Sequence, residues 1–152
     1  MTQALKSDLG SEHVVRTILT RDGVDIVEVD NTKMQMVASL SKLQQHYPAG
    51  KSWAKRVVNT FNSGFFNSMT LIQQNKGEGC RLHRHPDCDE VWVILAGRLQ
   101  ITVGEERETR EVGIGDIIFT KKNTPHSIHV ISDEPGVRLS ISVDEMTHRY
   151  EE

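Results

Sequence analysis

The chain has 152 residues, which suits one ordinary domain with a buried core. Charged residues make up 26% of it and the formal net charge is −3, so the composition excludes the basic, aromatic-interleaved surfaces typical of nucleic-acid-binding proteins. No apolar run approaches the ~18 residues of a membrane span, and the first ten residues lack the apolar core of a signal peptide, so we expect a cytoplasmic protein without nucleic-acid or membrane partners.

Residues 1–56 are predicted to form an N-terminal β/α extension, beginning with a hairpin. Two runs rich in β-branched residues, 14–20 and 24–30, are separated by a turn that contains Asp22 and Gly23. An Asp-Gly pair between such runs favours a β-hairpin. A helix that begins at Ser11 stays open as the alternative, because short apolar runs do not decide between the two structures.

A short helix is predicted next, over residues 33–46. Met36 and Val37 lie four and three residues before Leu40, and Leu43 lies three residues after it, and these intervals favour one face of an amphipathic helix. The helix would complete the extension before the main domain.

From residue 57 the chain changes character, because short strand-like runs follow one another with Gly, Asn or Pro between them. This spacing is typical of an all-β sandwich or barrel. We place the barrel at residues 57–145, treat the charged segment 105–110 as a solvated hairpin turn, and assign no function to the tail, 146–152. The predicted strands are residues 57–61, 65–73, 90–96, 98–104, 117–120, 126–131 and 137–143.

Two histidines and a glutamate stand out within the barrel. His83 and His85 are two residues apart, so on an extended strand both imidazoles point to the same side. Glu90 follows a short turn, residues 86–89, and starts an apolar run that predicts a returning strand. Two imidazole nitrogens and a carboxylate suit a divalent ion such as Fe(II), Mn(II), Ni(II) or Zn(II).

These residues fit the spacing G(X)5HXH(X)4E(X)6G, which Gly77, His83, His85, Glu90 and Gly97 fill completely. The stretch therefore resembles the first motif of the cupins. The resemblance implies a double-stranded β-helix, or jelly-roll barrel, that encloses a cavity between its two sheets.

The second cupin motif, G(X)5PXG(X)2H(X)3N, occurs in degraded form. Gly115 and Asp116 open it, and His126 closes it at the matching distance, so the resemblance implies that His126 is the fourth metal ligand. Asn can replace Gly where a positive φ is needed, and we expect Asp116 to hold its turn by accepting from nearby amides. The departures from the motif are Lys121 for proline, Asn123 for glycine and Val130 for asparagine.

Arg81 lies two residues before the first histidine and shares its face of the strand. We predict that it points into the cavity and binds an anionic group of the substrate, because a guanidinium offers paired donors to a carboxylate or phosphate. The alternative is an arginine at the barrel rim that bridges to Asp87 or Asp89.

Strand parity also assigns the remaining neighbours of the site. Trp92 shares the face of Glu90, where it contacts substrate or packs in the core, and Ile128 shares the face of His126. His129 faces the opposite side and is predicted not to bind the metal. Surface positions are expected for the histidines outside both motifs: His13, His46 and His148.

A weaker resemblance points to the sugar-phosphate isomerase-like cupins. It rests on residues 51–55 and on residues 79–82 before the first histidine, and it departs from that layout at Ala54, where those proteins have glycine. We therefore predict a metal-dependent enzyme that acts on a small, polar, anionic substrate, sugar-type or phosphorylated, with Glu90 moving a proton. An Fe(II)-dependent dioxygenase and a non-catalytic ligand-binding module stay open as alternatives.

Two further expectations concern association and redox state. Small cupins commonly dimerise, and strands within residues 14–30 would leave an edge to cover, so we expect a homodimer. Cys80 and Cys88 are the only cysteines, and free thiols in a reducing compartment are favoured over a disulfide.

Overall fold

The computed structural model describes residues 5–6, 14–21, 24–29, 40–46, 50–59, 68–142 and 146–151. These residues form one short helix and a series of strands. In chain order they are β1 (Leu5–Lys6), β2 (Val14–Arg21), β3 (Val24–Val29), α1 (Leu40–His46), β4 (Trp53–Asn59), β5 (Ser68–Gln74), β6 (Gly79–Arg84), β7 (Glu90–Ala96), β8 (Leu99–Val103), β9 (Glu108–Val112), β10 (Ile117–Thr120), β11 (His126–Val130), β12 (Gly136–Ser142) and β13 (Arg149–Tyr150).

The strands form two sheets. The larger has the order β1-β2-β3-β4-β5-β12-β7-β10, and the smaller has the order β13-β6-β11-β8-β9. Neighbours pair antiparallel except β3 and β4, which run parallel. This all-β, two-sheet architecture confirms the predicted fold class.

The N-terminal strands extend the larger sheet. β2 and β3 pair antiparallel, which confirms the hairpin over the alternative helix. Helix α1 covers only the second half of the predicted 33–46 segment, because residues 31–39 lie outside the described part of the chain. β4 runs through residue 57, the predicted start of the barrel, and joins β3 to β5.

The predicted turn at residues 105–110 is wrong in its second half. The chain turns after Gly104, but Glu108–Val112 forms β9 and pairs with β8 along its whole length. Four of the five β9 side chains are exposed, so this edge strand lacks the apolar alternation that identifies a strand in sequence.

The core lies between the two sheets and below the histidines. β7 contributes Trp92 and Ile94, and their neighbours across the interface come from β8 and β11, which alternate inward and outward residues. Burying each large apolar side chain contributes about 1.5–3 kcal/mol to the free energy of folding. The cluster therefore stabilises the strands that carry the site residues. Its buried members are Trp92, Ile94, Leu99, Ile101, Ile118, Ile128 and Val130.

The tight turn between β7 and β8 requires glycine. Gly97 has φ of 73°, and a Cβ there would lie 2.9 Å from the carbonyl oxygen of Pro135.

Among the described residues, no helix is long and apolar enough to cross a membrane.

Candidate metal centre

Four side chains converge at one end of the barrel. All four are buried: His83 near the end of β6, His85 directly after that strand, Glu90 at the start of β7 and His126 at the start of β11. One potential ligand atom from each lies within 4.8 Å of the others. The structure therefore brings together the four residues that the two motifs predict as metal ligands.

Strand pairing explains this convergence. In the smaller sheet His126 pairs directly with His83, and their ring centroids are 4.4 Å apart. Glu90 belongs to the larger sheet and reaches across to the imidazoles. The cluster thus bridges the two sheets where the barrel opens.

The backbone fixes the orientation of each ligand imidazole. Nδ1 of His83 lies 2.6 Å from the carbonyl oxygen of Arg81, and Nδ1 of His126 lies 2.8 Å from that of Thr124. Nδ1 of His85 lies 2.9 Å from the carbonyl oxygen of Thr147. A carbonyl only accepts, so Nδ1 carries the proton in each ring and the neutral form keeps a lone pair on Nε2. Metal-binding histidines are oriented in this way.

Glu90 is held as a carboxylate. Ser140 Oγ donates to Glu90 Oε1 at 2.6 Å. Burial would raise the pKa of the Glu90 carboxyl, but the close contacts with the two neighbouring imidazoles and the Ser140 hydrogen bond outweigh burial and lower that pKa below its usual range. The cluster therefore contains a fixed negative charge in a buried setting.

The imidazoles respond differently to this charge. Burial lowers the pKa of His83 to about 4, so this ring is neutral near pH 7. Burial also opposes a charge on His85, but its hydrogen bond and charge interaction with Glu90 raise the pKa of His85 overall. A proton on His85 can thus occupy the position between imidazole and carboxylate, and a bound cation would replace it.

The donor set fits a divalent metal ion. His126 Nε2 is buried 3.3 Å from Glu90 Oε2, yet it has no hydrogen-bond partner of suitable geometry among the described residues. An unpaired buried polar atom costs about 1–3 kcal/mol, and a cation between the four side chains would satisfy it. Three imidazole nitrogens and one carboxylate suit Fe(II), Mn(II), Ni(II) or Zn(II) alike.

The degraded second motif keeps its turns. Asn123 has φ of 63°, which confirms that asparagine takes over the positive φ of the motif glycine. The backbone amide of Asn123 donates to the carbonyl oxygen of His85 at 2.6 Å. The loop of the second motif therefore helps to position His85, one of the four proposed metal ligands. Asp116 Oδ2 accepts from the amide of Gly113 at 2.7 Å, which confirms its predicted turn role.

Arg81 lies at the rim of the site. Its side chain is exposed, and its guanidinium carbon lies 4.2 Å from the ring centroid of Tyr150. Asp87 and Asp89, its alternative partners, accept from the backbone amides of Thr147 and Lys122. The substrate-binding role of Arg81 stays a prediction.

Trp92 lies beneath the cluster, only 2% exposed, with its ring centroid 5.3 Å from that of His126. Core packing is therefore its observed role, and substrate contact stays a prediction. Ile128 is buried on the His126 face, as parity predicted, and His129 is not part of the four-residue cluster. No disulfide joins Cys80 and Cys88.

Sequence reasoning missed His148. It was expected at the surface, and the structure shows it half-buried, with its ring stacked on His83 at 4.9 Å and 24° between the planes. It also meets His85 edge-on at 4.5 Å. The only signal in the sequence was the alternation of His148 and Tyr150, two residues apart in a segment outside both motifs.

Sequence reasoning also missed Arg138, which lies in the barrel interior on the face of β12 that carries Ser140. It is 5% exposed, its Nη1 donates to Gln74 Oε1 at 2.5 Å, and its guanidinium lies 5.7 Å from the Trp92 ring. Burial lowers the pKa of Arg138, while Cys80 and Glu90 act in the opposite direction. Within the described ranges, no carboxylate lies at ion-pair distance from it.

Comparison with known proteins gives the same architecture. The cupin domain family matches residues 70–142. An uncharacterized conserved protein with a double-stranded beta-helix domain from Klebsiella pneumoniae superposes with a TM-score of 0.63 at 17% identity, covering 78% of this chain and 98% of that one.

Two curated proteins are similar in sequence. Mannose-1-phosphate guanylyltransferase 2 of Escherichia coli O157:H7 is 24% identical over 141 residues, which cover 88% of this chain and 27% of that protein. Quercetin 2,3-dioxygenase of Bacillus subtilis (strain 168) is 30% identical over 88 residues, which cover 58% of this chain and 26% of that protein. The chain spans about a quarter of the length of each.

Proposed function

Because the chain belongs to the cupin superfamily, we propose that it is a metal-dependent enzyme that acts on a small anionic substrate, sugar-type or phosphorylated, in an isomerase-like reaction. One observation carries the proposal: three imidazoles, each oriented by a carbonyl at Nδ1, converge with a buried carboxylate. Four protein donors leave coordination positions for a substrate on an ion that prefers five or six ligands.

His83, His85, Glu90 and His126 would hold the ion. A divalent cation bound there supplies Lewis acidity that polarises a carbonyl and acidifies a neighbouring hydroxyl. The contacts with His126 and His85, together with the hydrogen bond from Ser140, keep Glu90 ionised, so its carboxylate is available both as a ligand and as a group that moves a proton. Trp92 closes the cluster from below and limits access of water from that side.

The charges of the site favour an anion. A divalent ion would outweigh the single charge of Glu90, and Arg138 adds a positive charge inside the barrel. Arg81 adds another at the rim, where its planar fork matches a carboxylate or phosphate. The similarity to an enzyme named for mannose 1-phosphate, together with the isomerase-like layout of residues 51–55, supports a phosphorylated sugar.

A second candidate is an Fe(II)-dependent small-molecule dioxygenase. It is supported by the 30% identity to quercetin 2,3-dioxygenase over 88 residues. The same donor set accepts iron, and the two candidates differ in the metal and in oxygen consumption.

The test compares the wild-type protein with His126→Ala. Metal content is measured first, and each protein is then incubated in D2O with phosphorylated aldoses and ketoses under air while NMR and an oxygen electrode follow the reaction. Deuterium incorporation next to the carbonyl without oxygen uptake, lost in His126→Ala, supports the isomerase. Oxygen uptake with bound iron supports the dioxygenase, and tight binding without turnover assigns a non-catalytic binding module.

We further propose a cytoplasmic homodimer. Support for association comes from β10, an edge strand of the larger sheet, where Ile117 and Phe119 are 70% and 55% exposed. Large apolar side chains on an unpaired edge favour contact with a second subunit.

A further inference from the structure

We propose that the C-terminal segment, residues 146–151, forms one wall of the metal centre, and that His148 accepts a hydrogen bond from a hydroxyl of the ligand at the open coordination positions. This inference rests on the proposed metal site, and it adds a binding residue and a ligand class to it. The segment lies beyond residues 70–142, the part of the chain that the cupin family matches.

The segment is attached to β6 by several contacts. Arg149 and Tyr150 pair with Arg84 and His83, and the amide of Glu151 donates to the carbonyl oxygen of Leu82 at 3.1 Å. Nε of Arg84 also donates to Glu151 Oε1 at 2.7 Å. Side-chain and backbone contacts together therefore fix the segment at the end of the barrel that holds the histidines.

The segment also orients one of the metal-ligating histidines directly. The carbonyl oxygen of Thr147 accepts from His85 Nδ1 at 2.9 Å, and the amide of the same residue donates to Asp87 Oδ2 at 3.0 Å. Thr147 thus sets the tautomer of the His85 imidazole, and it is itself anchored to the turn that follows His85. Such outer contacts are part of a metal site and not only of the fold.

His148 repeats the local geometry of two ligands. Its Nδ1 lies 3.2 Å from the carbonyl oxygen of Met146, two residues earlier. His83 and His126 bind carbonyls at the same two-residue distance, so all three imidazoles leave Nε2 free of a proton when neutral. His148 is outside the group of ligand atoms within 4.8 Å, and it therefore lies beside the ligands instead of among them.

The contacts continue outward from His148. Tyr150 stacks with it at 6.1 Å and 26°, and the guanidinium of Arg81 lies over the Tyr150 ring. A line of side chains thus runs from the metal ligands to an exposed positive charge. A small molecule that matches this row of side chains has a hydroxyl close to the ion, which donates to His148. It also has an anionic group that reaches Arg81. That describes a small hydroxy acid or hydroxy phosphate.

The test uses the full chain loaded with Co(II), whose visible spectrum reports ligand binding. Glycolate, which has a hydroxyl and a carboxylate, is titrated in parallel with acetate, which lacks the hydroxyl. The variants are His148→Ala and His148→Gln, because the glutamine oxygen can still accept. His129→Ala is the matched control, since this histidine is half-buried on β11 outside the cluster.

All variants should retain one cobalt, and His148→Ala should bind glycolate about tenfold more weakly while its acetate affinity is unchanged. His148→Gln should recover part of the loss, and His129→Ala should match the wild type. Equal weakening of both probes, unchanged glycolate affinity, or cobalt loss confined to His148→Ala would each overturn the inference. Failure of the wild type itself to bind cobalt would instead refute the proposed metal site.

Discussion

Ser140→Ala removes a buried hydrogen bond to Glu90 Oε1 while leaving all four proposed ligands in place. Ser140 lies on β12 and donates to this oxygen at 2.6 Å, and both residues are 5% exposed. The contacts with His126 and His85 lower the pKa of the Glu90 carboxyl most, and the Ser140 bond adds to this effect and holds Oε1 in place. We expect the variant to fold and to bind a divalent ion more weakly than the wild type.

The size of the effect follows from the geometry. A buried hydrogen bond to a charged group is worth about 1.5–3 kcal/mol. Loss of a partner that orients a metal ligand lowers affinity about 10- to 100-fold, and each factor of ten is about 1.4 kcal/mol. The two estimates agree, so the dissociation constant for Zn(II) or Mn(II) should rise about 10- to 100-fold.

The assay is a competition titration against a chromophoric chelator, with melting temperature measured in parallel. Ser132→Ala is the matched control: Ser132 is a buried serine that donates to the carbonyl oxygen of Glu134 at 2.9 Å, away from the cluster. It should lower the melting temperature without changing metal affinity. Wild-type affinity in Ser140→Ala, or an equal loss in Ser132→Ala, would refute the reasoning.

Three further outcomes are expected. His126→Ala should abolish metal binding at micromolar concentrations, whereas His129→Ala should leave it intact; the reverse result in metal analysis would mean that the second motif is misaligned. Arg81→Lys keeps the charge but loses the planar fork, so the variant should retain its metal and melting temperature and bind an anionic substrate about tenfold more weakly by calorimetry; unchanged affinity would return Arg81 to a rim role. Sedimentation should show a dimer at micromolar concentration, and Phe119→Asp should weaken it; a wild-type monomer would contradict the proposed association.

The sequence predicted the core of the site because its determinants are local. His83 and His85 share a face through strand parity, and a short turn returns Glu90 beside them. Asn123 could be assigned a positive φ from its residue type alone. Each of these inferences needs only a few neighbouring residues and one strand period.

The residues that were missed depend on distant pairing. Ser140 meets Glu90 across a separation of 50 residues, and Thr147 meets His85 across 62. Neither contact leaves a trace in local spacing, since Ser140 is one polar residue on an alternating strand and Thr147 contributes its backbone. His148 looked like an exposed residue because it directly precedes β13, and that strand has only two residues, too few for a periodic pattern.

The same contacts couple metal binding to the C-terminal segment. Thr147 orients His85 through its carbonyl, so the segment must be docked for this imidazole to present its lone pair. Linkage is reciprocal: if docking raises metal affinity, metal binding must stabilise docking by the same factor.

Hydrogen exchange should therefore show that Zn(II) slows exchange of the Thr147 and Glu151 amides, which donate to Asp87 and Leu82. The amide of Gly113, bonded to Asp116 in a turn away from the cluster, serves as the internal control. Equal protection of all three amides would indicate a global effect, and unchanged exchange at Thr147 would show that the segment and the metal site are independent.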